Sequence, residues 1–226
     1  MTAAQLYRLC GYALVIGAIV SIITTVAQAA LFPSNNDPTY AQNALLVPLA
    51  LISVAASVLL LLGLPGWYAM HARAAGVSGL VGFVGIFITG LMFPIFFGLF
   101  QALLFPFFAT QAPQLLSGDG PSGFFPYFIV GTLIQLIGTI GLAIPMLRGQ
   151  VLPRWPGYAL VISAPLAVVS FFLSSGPNAP QSALTLALNN LPVVLLLVAL
   201  AGMGGKLLTN RSDIGVAELK TAPFSR

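Results

Sequence analysis

The apolar residues of this chain fall in long, almost unbroken runs. A helix that crosses a bilayer needs about 20 mostly apolar residues. Six segments meet that requirement: Leu9 to Leu31, Ala44 to Tyr68, Val77 to Phe105, Phe124 to Leu147, Gly157 to Leu173 and Ser182 to Leu207. Turn and breaker residues separate them. These are Phe32 to Pro38, His71-Ala72-Arg73, Ser117 to Pro121, Arg148-Gly149-Gln150 with Pro153-Arg154, and Ser174 to Pro180. Strands of a membrane β-barrel would alternate over segments of about 10 residues, which these runs do not. The expected fold is all-α: a polytopic bundle of six transmembrane helices over residues 1–208, followed by a short tail, 209–226.

The third run has its own pattern. Gly76, Gly79, Gly82 and Gly85 recur every third residue, which suits close contact with a neighbouring helix. Further on it is rich in phenylalanine: Phe93, Phe96, Phe97, Phe100, Phe105, Phe107 and Phe108. From Val77 to Ala109 the chain is apolar, about 50 Å as one helix against a hydrocarbon core of about 30 Å. Pro94 is expected to bend this span, and Pro106 to Leu116 to lie along the outer surface.

Charge orients the bundle. The basic residues are Arg8, Arg73, Arg148, Arg154, Lys206, Arg211, Lys220 and Arg226. With six spans, all of them fall on one side, and Asp37 and Asp119 fall on the other. The positive-inside rule then places both termini in the cytoplasm. A secretory signal is the competing reading of the N-terminus, because Ala27-Gln28-Ala29 follows Arg8 and an apolar stretch. That stretch is longer than a usual signal core and has a counterpart inside the chain, so it is read as a span.

The counterpart is a repeat. Residues 8–16, Arg-Leu-Cys-Gly-Tyr-Ala-Leu-Val-Ile, match residues 154–162, Arg-Trp-Pro-Gly-Tyr-Ala-Leu-Val-Ile, at seven of nine positions. Arg73-Ala74-Ala75-Gly76 opens the third span with the same Arg-x-x-Gly start. All three copies begin on the cytoplasmic side. The expected unit is a two-span hairpin, repeated three times in parallel about an axis along the membrane normal. Arg8, Tyr12, Arg73, Arg154, Trp155 and Tyr158 are read as interface anchors. The arginines lie at headgroup level and the aromatic rings sit at the boundary between lipid and water.

The segments Leu64-Pro65-Gly66-Trp67-Tyr68 with Arg73 to Gly76, and Val151-Leu152-Pro153-Arg154-Trp155-Pro156-Gly157, resemble cytoplasmic loops of a loose, uncharacterised group of bacterial six-span membrane proteins. The resemblance covers those loops and the flanking helix ends. It implies a bacterial inner membrane location and no particular activity.

Composition narrows the function. Hydrophobic residues make up 58% of the 226 and charged residues only 5%, against about 25% charged in an ordinary soluble domain. A soluble enzyme, a disordered tail protein and a nucleic-acid binder are excluded on that ground. One cysteine, Cys10, rules out an internal disulfide and a cysteine metal cluster. No Asp, Glu, Lys or Arg lies well inside a span. Proton relays, ion pathways and acid–base catalysis all need such groups, so the expectation is a protein that is not an enzyme. No metal site is expected. His71, the one histidine, is read chiefly as a solvent-facing loop residue, with axial ligation of a haem or chlorophyll as the sharper alternative.

Uncharged polar residues gather from mid-depth outward. Thr24, Thr25 and Gln28 lie in span one, Gln101 in span three, Thr132, Gln135 and Thr139 on one face of span four, and Asn189 and Asn190 just before Pro192 in span six. Gln28, Gln101, Gln135, Asn189 and Asn190 are the ligand-binding candidates. Interhelical glue, worth about 0.6 kcal/mol per contact in membranes, competes with that reading. Pro192 also removes the hydrogen bond to the Leu188 carbonyl, leaving an acceptor nearby.

The expected function is a protein that binds hydrophobic partners. It would be an accessory subunit of a membrane complex, or a binder of lipid, quinone or pigment, with the bilayer itself as a partner. The sequence names no cofactor. The alternative is a facilitator or pore for a small neutral solute through an outward-facing polar crevice.

Overall fold

The computed structural model describes residues 3–32, 41–112, 124–149, 154–174 and 183–209. The expected tail, Asp37, Asp119 and most of the expected connecting loops lie outside them. Among the described residues there is no strand. The helices are α1 (Ala3–Leu31), α2 (Leu46–Gly90), a π-helical turn (Leu91–Phe97), α3 (Gly98–Gln111), α4 (Phe124–Arg148), α5 (Arg154–Ser174) and α6 (Ala183–Thr209). Four helical stretches among them are long and apolar enough to cross a membrane: Ala4–Leu31, Leu46–Gln111, Pro126–Arg148 and Ala187–Thr209. The chain is an all-helical membrane protein.

The 66 residues of Leu46–Gln111 would measure roughly 100 Å as one rod, three times the hydrocarbon core. They fold back on themselves at one residue. Gly76 has φ 57° and ψ −155°, a backbone region open in practice only to glycine. On either side of it the two arms run antiparallel. Tyr68 stacks on Phe83 with ring centroids 5.0 Å apart, Leu61 lies against Gly90 and Val54 against Gly98. Near the far end, Gln42 Nε2 donates to the Ala109 carbonyl at 3.5 Å. Each pair straddles Gly76 almost symmetrically.

Two sequence readings change here. His71-Ala72-Arg73 is not a loop but part of α2, and the chain turns three residues later than Arg73. Pro65 does not stop the helix, and His71 is buried, 5% exposed, with Nδ1–H donating to the Trp67 carbonyl at 2.9 Å. The solvent-facing histidine is therefore corrected to a packed one. Pro106 likewise stays within α3, so Pro106 to Gln111 continues the second arm instead of lying along the surface.

Pro94 is accommodated by the π turn. Proline has no N–H for the carbonyl four residues back, here that of Gly90, and its ring crowds that carbonyl. Widening to π pairing hands the carbonyl to the N–H five residues on. The Tyr127 hydroxyl of α4 donates to the carbonyl of Met92 within the turn.

The helices close a ring in the order α1, first arm of α2, second arm, α4, α5, α6 and back to α1. Glycine sets the spacing. A Cβ on Gly85 would lie 2.6 Å from Gly138 Cα, one on Gly17 would lie 2.8 Å from the Ala56 carbonyl oxygen, and one on Gly204 would lie 2.9 Å from the Gly11 carbonyl oxygen. In lipid, burial of apolar surface does not draw helices together, so close backbone approach and packing do that work. Large apolar side chains point outward: on α1, Leu9, Tyr12, Ile16, Ile19, Ile23 and Val26 form one exposed stripe. Cys10, Leu14, Ala18, Ser21 and Thr24 face inward.

Antiparallel packing collects the described basic residues. Arg8 lies in the second turn of α1, Arg73 adjoins the Gly76 turn, Arg148 ends α4, Arg154 opens α5 and Lys206 lies in the last turn of α6. Gly157 packs on Met146 and Leu147, and Gly11 on Leu208. All five therefore lie at the end of the bundle that carries Gly76.

Candidate functional site

The ring encloses a cavity of about 490 Å³, within the size range of small-molecule sites. Its walls come from α1, both arms of α2 with the π turn and α3, α4 through Gln135, and α6. Toward the Gly76 end the surface is aliphatic, with Leu60, Leu61, Leu64 and Ile86 from α2 and Leu197 and Leu200 from α6. Toward the opposite end it turns polar and aromatic: Gln28 from α1, Gln101 from α3, Asn189 and Asn190 from α6, and Phe93 and Phe97 from the π turn.

All five ligand-binding candidates, Gln28, Gln101, Gln135, Asn189 and Asn190, line this one cavity. Their helices are distant in sequence, and only ring closure unites them. Asn189 and Asn190 are adjacent, hence about 100° apart on the helix, yet both border the space because the cavity wall is broad there. Among the described residues no hydrogen bond ties Gln28, Gln101, Gln135 or Asn189 to another side chain. Mutual amide glue is thus not how these groups are satisfied. Thr139, from the same face of α4 as Gln135, is buried in the helix packing and does not border the cavity.

Two polar atoms there stand out. Asn189 Oδ1 and Ser21 Oγ are buried with no hydrogen-bond partner. Buried polar atoms are nearly always paired, so these two oxygens retain an unused hydrogen-bonding capacity beside the cavity. Ser57 and Thr89, also on the wall, instead donate back to the carbonyls of Ser53 and Gly85 at 2.8 Å. The described residues lining the cavity carry no charge: they include no Asp, Glu, Lys, Arg or His. No protein-family model matches the chain. No curated protein matches it, and no solved structure does.

The remaining candidates sit elsewhere. Arg8, Tyr12, Arg73, Arg154, Trp155 and Tyr158 are exposed near the Gly76 end. Trp155 also lies across Gly202 of α6, so its ring serves packing as well as any boundary role. His71 does not border the cavity. Its ring lies 5.3 Å from that of Trp67, and the described residues contain no cluster of three metal-ligating side chains.

Ser21, Ser53, Ser57 and Thr89 also border the cavity, although small hydroxyl residues in apolar runs do not stand out in the sequence. One signal was present for Thr89. Thr24, Thr89 and Ser170 each follow an arginine of the Arg-x-x-Gly starts by sixteen positions, and all three are buried.

Proposed function

We propose that this protein binds an uncharged amphiphile in the central cavity, its apolar part toward the Gly76 end and its polar end among the amides. The observation that carries this reading is the lining itself: aliphatic at one end, rich in amides and hydroxyls at the other, and without a charged side chain among the described residues. An anionic or cationic headgroup would find no counter-charge there. Among the described residues the same lining offers no titratable group for acid–base chemistry, which fits a binding role. Lipids, quinones and other neutral membrane-soluble molecules belong to this class.

The proposed setting is a six-span bundle with both termini cytoplasmic, in a bacterial inner membrane, akin to the loose six-span group that its loops resemble. Six spans follow if the arms on either side of Gly76 count separately and α5 crosses alongside α4 and α6. The clustering of the five described basic residues at the Gly76 end supports the orientation. Three parallel hairpins are supported by the shared position of Thr24, Thr89 and Ser170 and by the ring order, in which each hairpin abuts the next.

Lipid analysis of the protein purified in polymer-bounded membrane discs tests the reading. One neutral amphiphile should be enriched over the surrounding membrane, and Val193→Phe, which fills the cavity from a half-exposed position, should remove it. Equal enrichment in the variant, with unchanged thermal stability, would overturn the proposal.

A second reading, a facilitator for a small neutral solute, is favoured by the unpaired Gln28, Gln101 and Gln135 side chains on the wall. Liposome swelling with uncharged solutes tests it. Permeation no faster than in empty liposomes removes it.

A further inference from the structure

We infer that the cavity recognises its ligand through an uncharged hydroxyl. This rests on the amphiphile-binding reading and narrows it by headgroup. Asn189 borders the cavity, and its Oδ1, an amide oxygen that can only accept a hydrogen bond, is buried just behind that surface without a partner. What satisfies it must therefore be a donor. Ser21 supplies an independent observation. Its side chain is 5% exposed, borders the same cavity and has no partner, although a serine in a helix can usually turn its hydroxyl to a carbonyl one turn back. Ser57 and Thr89 do so in the same cavity.

The donor is neutral. An ammonium group would need a carboxylate or a dense cage of carbonyls to offset its desolvation, and none of the described residues that border the space is acidic. A ketone, an ester or an ether brings only acceptors, and would leave Asn189 Oδ1 unsatisfied on binding. A hydroxyl brings one donor and two acceptor sites. It can donate to Asn189 Oδ1 while accepting from a neighbouring amide N–H or from the Ser21 hydroxyl. The class is thus neutral amphiphiles with a free hydroxyl, such as long-chain alcohols, partially acylated glycerols and quinols, taken in preference to the matching ethers, fully acylated glycerols and quinones.

A matched pair tests this without redox chemistry. The full-length protein in lipid discs is labelled with a diazirine-bearing hexadecanol, and labelled peptides are mapped. Unlabelled 1-hexadecanol and hexadecyl methyl ether, which differ in the donor, then compete. The alcohol should compete at about ten-fold lower concentration, the factor expected when a buried acceptor loses its donor. Asn189→Leu should bring the two competitors together by weakening the alcohol and sparing the ether. Ser21→Ala, a smaller change, provides the same comparison if Asn189→Leu does not insert. Equal competition by alcohol and ether in the unaltered protein overturns hydroxyl recognition and leaves amphiphile binding standing. A ten-fold preference that survives in the variants overturns the assignment to these residues. Failure of the probe to label any peptide bordering the cavity overturns the amphiphile reading itself.

Discussion

Ser170 Oγ of α5 lies 2.8 Å from the carbonyl oxygen of Leu188 in α6. That carbonyl is the one Pro192 leaves without its helical N–H, four residues on. The serine hydroxyl also lies 2.7 Å from the Leu166 carbonyl of its own helix. A proline in one helix thus creates an acceptor that a serine in the next helix uses to join the two. In hydrocarbon no water can take that role.

Ser170→Ala is expected to destabilise the α5–α6 contact by about 0.6 kcal/mol. Pro192→Ala restores a helical N–H to Leu188, so in that background the loss at Ser170 should shrink toward zero. A double-mutant cycle on unfolding in detergent mixtures measures the coupling. Strict additivity would mean that the freed carbonyl is not what Ser170 serves.

Close backbone approach makes a sharper claim. A Cβ at Gly138 would sit 2.7 Å from the Ile86 amide nitrogen, whereas one at Gly205 would meet nothing within 4 Å. Gly138→Ala should cost about 1–3 kcal/mol, the usual range for overpacking. Gly205→Ala should change stability by less than about 0.5 kcal/mol. Equal melting shifts for the two would contradict the α2–α4 geometry.

The turn between the arms depends on one residue. Gly76→Ala places a Cβ in a conformation that costs about 1–3 kcal/mol, although the site is open and nothing crowds it. The penalty is therefore conformational. Gly76→Asn should cost less than Gly76→Val, since asparagine tolerates positive φ better than a β-branched residue. Thermal melts of the three variants rank them, and Val equal to Asn would argue against the strained turn.

Topology can be read from labelling. Cys10 is buried, so the native thiol gives little background. A membrane-impermeant maleimide added to intact cells should reach Asn36→Cys and Asp119→Cys but spare Ala74→Cys and Gln150→Cys. External labelling of Ala74→Cys would overturn the six-span orientation with the Gly76 end in the cytoplasm.

The sequence by itself determined the class of the molecule and the raw material of its cavity. Runs of apolar residues with almost no charge leave a helical membrane bundle as the solution that satisfies every backbone amide in lipid. The glycines at 79, 82 and 85 announced a close helix contact, and Pro192 announced a free carbonyl. Gln28, Gln101, Gln135, Asn189 and Asn190 were conspicuous because an amide in hydrocarbon needs a partner. Their convergence was not legible. In a soluble helix a polar stripe marks the outside, but here α1 is apolar on both its lipid face, at Ile16 and Ile23, and its inner face, at Leu14 and Ala18. The pattern therefore cannot say which side turns inward. His71 illustrates the same limit, since a histidine beside an arginine reads as a loop until Trp67 is found covering it. Only the tertiary structure decided that Gly76 alone makes the turn, that Ser170 and not an amide claims the Leu188 carbonyl, and that Ser21 and Asn189, each with a buried oxygen left unpaired, border one space. Those outcomes depend on how the ring of helices closes, and that is set by backbone distances between residues far apart in the chain.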